Sequence, residues 1–209
     1  MISTPTVFIV DDDPSVLKSL GRLVRSAGFK VAAFSSASAF LRLPKNDAPA
    51  CMVLDMRMPD LSGLGLQRTL CANGRRLPII FLTGHGDIPM SVQAIKAGAV
   101  DFLTKPCEDR TLLAAIEQAI AIDREARREQ ADRIELQHRF ASLTQREREV
   151  CGHVVAGLPN KQIAYDLGVC VQTIKVHRMR IMEKLRVRSL AVLVRLAEKA
   201  GMTPAAPTN

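Results

Sequence analysis

Residues 6–17 read TVFIVDDDPSVL: a β-prone apolar run from Thr6 to Val10 passes directly into Asp11, Asp12 and Asp13, and Pro14 follows. A short apolar run closed by turn residues is a buried strand. Asp13 before Pro14 reads as a helix N-cap with proline at the first helical position. The stretch is therefore a strand, a turn and the start of a helix, with acidic side chains set at the carboxyl end of the strand. Taken alone, it is equally a capped turn with solvated acids.

The same step recurs along the next hundred residues. Strands are expected over Thr6 to Val10, Phe29 to Phe34, Ala50 to Leu54, Pro78 to Leu82 and Val100 to Leu103. Amphipathic stretches alternate with them near Pro14 to Ala27, Ala37 to Leu43, Gly63 to Ala72, Ile88 to Ala97 and Glu108 to Ile122. This alternation predicts βαβ units: an α/β, doubly wound, five-stranded parallel sheet with helices on both faces. Such sheets carry function in the crevice beyond the carboxyl ends of their strands.

Those ends hold a consistent set of groups. Asp11 and Asp12 follow the first strand, Asp55 the third, Thr83 and Gly84 the fourth, and Lys105 and Pro106 the fifth. Two carboxylates ~5 Å apart repel by about 3 kcal/mol at an effective dielectric of 20, so the cluster must take up protons or a cation. Oxygen ligands with room for water suit Mg²⁺. A phosphoryl group on Asp55 would need a metal, a hydroxyl and a fixed cation, and the strand ends offer the protein's part of each.

From Ala121 to Arg139 the chain lacks glycine and proline and pairs opposite charges at Asp123/Arg127, Glu125/Arg128 and Glu129/Arg133. The spacing predicts a solvated helical strut continuing the fifth helix. A loose charged tether is the competing reading.

Beyond Ser142 only helical spacing remains. Thr144 with Glu147 forms a capping box opening a helix near Gln145 that Gly157 stops. Asn160 is expected to cap a short second helix ending before Gly168. A third runs from about Val171 to Leu185 and a fourth from Ser189 to Lys199. Ile174, Ile181 and Leu185 define a buried stripe on the third helix, with Gln172, Val176, Met179 and Glu183 opposite and Lys175 and Arg180 on the flanks. The short helix, the turn at Gly168-Val169 and the third helix form a helix-turn-helix, whose second member enters the major groove. His177 is read as a packed or backbone-bonded residue, since no partner ligands surround it.

Charge supports this division. The chain carries a net charge of +8, and residues 143–209 hold 11 basic and 5 acidic side chains against 13 and 11 in residues 1–120. A local basic excess marks the surface that meets a polyanion. With one tyrosine, no tryptophan and seven phenylalanines mostly inside apolar runs, stacking on single strands is disfavoured and duplex DNA is the expected partner. Five scattered cysteines without a C-x-x-C pair point to reduced thiols. No long apolar segment or leader pattern is present, so a cytoplasmic protein without membrane association is expected.

Four motifs now stand in order: VDDD at 10–13, LDMRMPDLSG at 54–63, LTGHGD at 82–87 and FLTKP at 102–106. Together they resemble the receiver domain of two-component response regulators, a flavodoxin-like fold. LTQREREV at 143–150, NKQIAYDLGV at 160–169 and TIKVHR at 173–178 resemble the LuxR-type DNA-binding domain. The whole chain resembles a response regulator of the NarL/FixJ family, and the HGDIPM segment and the strut tilt it toward FixJ-like members. The expected domains are a receiver at 1–122, a helical linker at 123–141, an all-α four-helix helix-turn-helix domain at 142–202 and a disordered tail at 203–209.

The resemblance implies roles. Asp55 would be the phosphoacceptor, served by a sensor histidine kinase. Asp11, Asp12, Asp55 and the backbone carbonyl of Arg57 would hold Mg²⁺. Thr83 and Lys105 would hold phosphoryl oxygens, Phe102 would be the aromatic switch, and the Lys105-Pro106 bond would be cis. Cys107 departs from the usual phenylalanine, and Cys170 from the usual Ser or Thr N-cap. Lys175, Val176 and Met179 would face base edges with Gln172 nearby, and Thr173 and Arg178 would meet phosphates. The protein would regulate transcription, as an activator on promoter DNA, with phosphorylation promoting a homodimer through helix four and strand five and RNA polymerase as a further partner. It would not be an enzyme beyond its own phosphorylation and dephosphorylation. A phosphoester hydrolase would need an acid where Arg57 stands. A DNA-binding regulator indifferent to phosphate would not need the acids, Thr83 and Lys105.

Overall fold

The computed structural model describes residues 4–44, 46–84 and 88–202. His85 to Asp87 of the LTGHGD motif and the tail 203–209 lie outside the described residues. The chain divides into two compact units, Met1–Arg127 and Arg128–Asn209.

In the first unit the strands are β1 (Thr6–Val10), β2 (Lys30–Phe34), β3 (Ala50–Leu54), β4 (Ile79–Thr83) and β5 (Asp101–Thr104). They form one parallel sheet in the order β2-β1-β3-β4-β5. Val10 pairs with Leu54, so Asp11 and Asp55 leave adjacent strands at one level. The order reverses beside β1, which opens the crevice there.

Alternation along each strand divides the core. Phe8, Val10, Met52, Leu54 and Phe81 face one side, where α2 (Ala37–Leu41), α3 (Gly63–Ala72) and α4 (Ile88–Lys96) supply Phe40, Leu66, Leu70 and Ala94. Val7, Ile9, Cys51, Val53, Ile80 and Leu82 face the other, against Val24 of α1 (Pro14–Ser26) and Leu112, Ile116 and Ala119 of α5 (Asp109–Ala141). Burial on both faces explains why the strands read as continuous apolar runs. Helix α2 stops at Leu41 rather than Leu43, since Pro44 disfavours helical backbone in the residue before it.

Asp13 caps α1 as its sequence suggested, accepting the Ser15 N–H at 2.8 Å. Helix α5 runs unbroken for 33 residues, which excludes the loose tether. Its first charge pair is not solvated. Asp123 is buried, and its Oδ2 accepts the Ala50 N–H at 2.8 Å and Arg127 Nε at 2.6 Å. Arg127 in turn donates to the carbonyls of Asp47 and Asn46, both at 3.0 Å. The pair lashes the helix to the start of β3. Among the described residues Glu125/Arg128 and Glu129/Arg133 form no ion pair, whereas Arg139 and Glu135 do.

The second unit holds α6 (Gln145–Val155), α7 (Asn160–Asp166), α8 (Val171–Lys184) and α9 (Leu190–Ala200) around Leu143, Val150, Val154, Ile163, Ile174, Ile181, Leu185 and Leu193. The Thr144–Glu147 capping box is present, and Gly157 follows the C-cap with φ +83°, a left-handed backbone that glycine adopts without strain. The cap of α7 is Pro159, not Asn160, which is the first helical residue. The cysteines are free thiols, and burial pushes that of Cys51 up to about 12. Among the described residues no helix is long and apolar enough to cross a membrane.

Candidate functional site

The ends of β1, β3, β4 and β5 bring their polar residues to one rim. Asp11, Asp55 and Thr83 are buried, and Lys105 lies between the two carboxylates, its Nζ 2.5 Å from Asp11 Oδ2 and 3.0 Å from Asp55 Oδ1. The remaining oxygens meet backbone: Asp11 Oδ1 accepts the Asp13 N–H at 2.9 Å and Asp55 Oδ2 the Arg57 N–H at 2.6 Å. Asp12 is exposed, and among the described residues no three acidic, histidine or cysteine side chains stand close enough to share an ion. The expected cluster of three acids is thus a pair of acids bridged by lysine. Lys105, assigned by resemblance to phosphoryl oxygens, here supplies the neutralising charge.

Burial lifts the Asp11 carboxyl above the usual carboxylate range, and this outweighs the pull of Lys105. Burial alone would lower Lys105, but its hydrogen bonds to Asp11 and Asp55 hold it above an ordinary lysine. Both partners therefore lose solvation, and two acids share one cation, so the rim keeps an excess of negative charge. The Lys105-Pro106 bond is cis. Phe102 is half-buried, its ring centroid 6.2 Å from that of Phe81.

Gly63 was read only as a helix start, yet it supports this rim. A Cβ there would stand 2.5 Å from the Asp55 carbonyl oxygen and 2.8 Å from a ring carbon of Phe81. Gly63→Ala is expected to cost about 1–3 kcal/mol by overpacking and to slow phosphorylation by displacing Asp55. Urea unfolding and a labelling time course check it; wild-type behaviour in both would mean the loop yields freely.

In the second unit Gln172, Lys175 and Met179 are exposed on α8 at spacings of three and four, on the side away from Ile174 and Ile181. Val176, Thr173 and Arg178 are half-buried. Cys170 is the N-cap but makes no cap bond; its sulfur meets the Thr173 hydroxyl at 3.1 Å, which lowers the thiol pKa. Arg178 donates to Asn160 Oδ1 at 2.8 Å. His177 is packed, its Nδ1 buried without a hydrogen bond among the described residues.

Lys184, at the end of α8, meets Glu147 Oε2 at 2.6 Å and the Ser142 carbonyl at 3.3 Å. The Lys184 hydrogen bond, then the Thr144 N–H, hold the Glu147 carboxyl at about 2. Its folded value lies below the ordinary ~4.3, so its stabilisation is complete above that pH and is lost as pH falls toward about 2. The second unit is expected to loosen between these limits, and Glu147→Gln to remove that part of the pH dependence. Amide exchange of α6 measured on both proteins decides this; identical profiles would contradict it.

Both parts of the chain match known families. The response regulator receiver domain matches residues 7–117, and the bacterial regulatory proteins of the luxR family match residues 141–197. The response regulator protein TodT of Pseudomonas putida is 48% identical over 193 residues, covering 92% of this chain and 85% of its own. The transcriptional regulatory protein FixJ of Rhizobium meliloti is 45% identical over 199 residues, covering 95% and 98%. A low-resolution structure of the response regulator StyR, 52% identical, superposes with a TM-score of 0.85 over 94% of this chain and 100% of that one. An acid–lysine rim on a β2-β1-β3-β4-β5 sheet, a long helix and a LuxR-type helix-turn-helix in one chain thus have a single source: the protein belongs to the NarL/FixJ family of two-component response regulators, and it is a transcriptional regulator rather than a conventional enzyme.

Proposed function

We propose that Asp55 is the phosphoacceptor and that its phosphorylation controls binding to promoter DNA. The observation that carries this reading is the Lys105 ammonium held between Asp11 and Asp55. A cation held against Asp55 stands within reach of the negative charge that the transfer brings to that carboxylate. The Asp55 carboxylate attacks the phosphorus of a kinase phosphohistidine; the P–N bond breaks, a proton restores the imidazole, and Asp55 carries an acyl phosphate.

Receiver domains use Mg²⁺. Asp11 and Asp55 with the Arg57 carbonyl, and Asp12 beside them, would hold the ion through oxygens alone, and such an ion needs only one or two carboxylates with its waters, so the lysine-bridged pair would be sufficient. With the ion bound, the oxygens of an incoming phosphoryl group meet less repulsion from the acids. Lys105 then moves from the carboxylate to a phosphoryl oxygen, the Thr83 hydroxyl turns toward the same group, and Phe102 follows inward.

Helix α4 exposes Ile88 (79%), Val92 (45%) and Ile95 (46%) at spacings of four and three. A second receiver covers this stripe in the phosphorylated homodimer, and two linked DNA-binding units gain avidity on a two-part site. The regulator acts as an activator that meets RNA polymerase at its promoters.

Measuring DNA affinity with and without a phosphodonor tests the switch; equal affinities would leave a regulator indifferent to phosphate. Lys175→Ala is expected to weaken operator binding about tenfold and to relax base preference, as loss of a major-groove contact does. Selection of bound sequences by both proteins checks it, and an equal loss on every sequence would make Lys175 a phosphate contact.

A further inference from the structure

Among the described residues, the arginines hydrogen-bonded to other side chains fall into two kinds. Arg127, Arg139 and Arg146 each meet a carboxylate, of Asp123, Glu135 and Glu149. Arg178 instead meets the neutral amide oxygen of Asn160 at 2.8 Å, and among the described residues it has no acidic partner. A carboxylate would fix the guanidinium and cancel its charge. An amide oxygen fixes it and leaves the charge available.

The contact joins the two helices of the helix-turn-helix. Arg178 lies one turn beyond the exposed Lys175 on α8, and Asn160 opens α7. Both Arg178 and Asn160 are half-buried, so the group sits at the edge of the face that presents Gln172, Lys175 and Met179. One of the guanidinium's five donors is engaged, which leaves the rest of the fork for another acceptor. A fork of donors with uncancelled positive charge matches an anion that only accepts, and a unit with 11 basic and 5 acidic side chains in residues 143–209 meets such anions along duplex DNA.

We propose that Asn160 and Arg178 together form a seat for one backbone phosphate, with Asn160 as a positioning residue that aims Arg178 without neutralising it. The proposal rests on DNA binding by this unit and adds a residue from the first helix of the motif. A phosphate contact is independent of base sequence, so a random-sequence DNA duplex is a sufficient probe.

The test measures binding of that duplex by the full chain across a salt series, for wild type, Asn160→Ala, Asn160→Asp, Arg178→Ala and the double variant Asn160→Ala/Arg178→Ala. Arg178→Ala is expected to weaken binding and to lower the slope of log K against log salt by about 1. Asn160→Ala is expected to lose part of the same affinity and slope, and the double variant to bind like Arg178→Ala alone. Asn160→Asp keeps the hydrogen bond but cancels the charge, and is expected to bind more weakly than Asn160→Ala with its thermal unfolding unchanged. A merely structural contact would shift unfolding and leave the salt slope alone. The proposal is overturned if Asn160→Ala binds like wild type, if its loss multiplies with that of Arg178→Ala, or if Arg178→Ala leaves the slope intact. Duplex binding by the wild-type chain and the effect of Lys175→Ala then still report separately on DNA recognition by α8.

Discussion

Asp55→Asn is expected to abolish labelling of the full chain by acetyl phosphate in Mg²⁺, and with it any gain in DNA affinity from the phosphodonor. The amide has nearly the shape of the carboxylate, so the Arg57 N–H keeps an oxygen acceptor and Lys105 keeps Asp11. The anionic nucleophile is lost while its supports stay, so the effect falls on chemistry rather than on folding. Unlabelled protein with a wild-type unfolding curve is the expected result. Full labelling would move the phosphoacceptor to another residue and sink the assignment of Asp55.

Asp123→Ala has the largest expected effect on stability. Removing one partner from a buried ion pair costs about 3–5 kcal/mol, because what it leaves behind is desolvated. Here the orphan is the Ala50 N–H, inside the first unit, while Arg127 at 35% side-chain exposure can turn to water. The lower end, about 3 kcal/mol, is therefore expected, a large share of the 5–15 kcal/mol typical of a folded domain. Urea unfolding gives the loss, and faster exchange of the Ala50 amide locates it. A change below about 1 kcal/mol would mean that water replaces the carboxylate at no cost.

The sheet was legible because its central strands β1, β3 and β4 are buried on both faces and because turn residues close each apolar run. Three of the five strands shift by a residue, β2 at one end and β4 and β5 at both, and Thr83 is the last residue of β4. The rim residues were legible by their position after strands, and their resemblance to receiver motifs supplied the roles. What the spacing could not show was which charges meet. Lys105 was assigned by resemblance to phosphoryl oxygens, and its contact with both Asp11 and Asp55 in the folded chain carried no signal in the spacing.

Asp123 and Arg127 were read as a surface pair because four-residue spacing of opposite charge is common on exposed helices. The contrary signal lay in register. Leu112, Ile116 and Ala119 form the buried stripe of α5, and Asp123 is its next position, an acid on an apolar face. Gly63 carried no signal beyond the scarcity of glycine at a helix start, because close approach to the Asp55 carbonyl depends on tertiary packing. Asn160 looked like a cap because asparagine favours that place, but Pro159 takes it and frees the amide for Arg178.

The bond between Asp123 and the first amide of β3 spans 73 residues of chain. As the polypeptide leaves the ribosome, β2, β1 and β3 can already lie side by side once Leu54 has emerged, yet that amide has no carboxylate to receive it until the far end of the receiver has been translated. The Ala50 amide, at the end of the nascent sheet opposite Asp55, therefore waits for its acceptor, and the same stroke that supplies it also starts the arm leading to the DNA-binding unit.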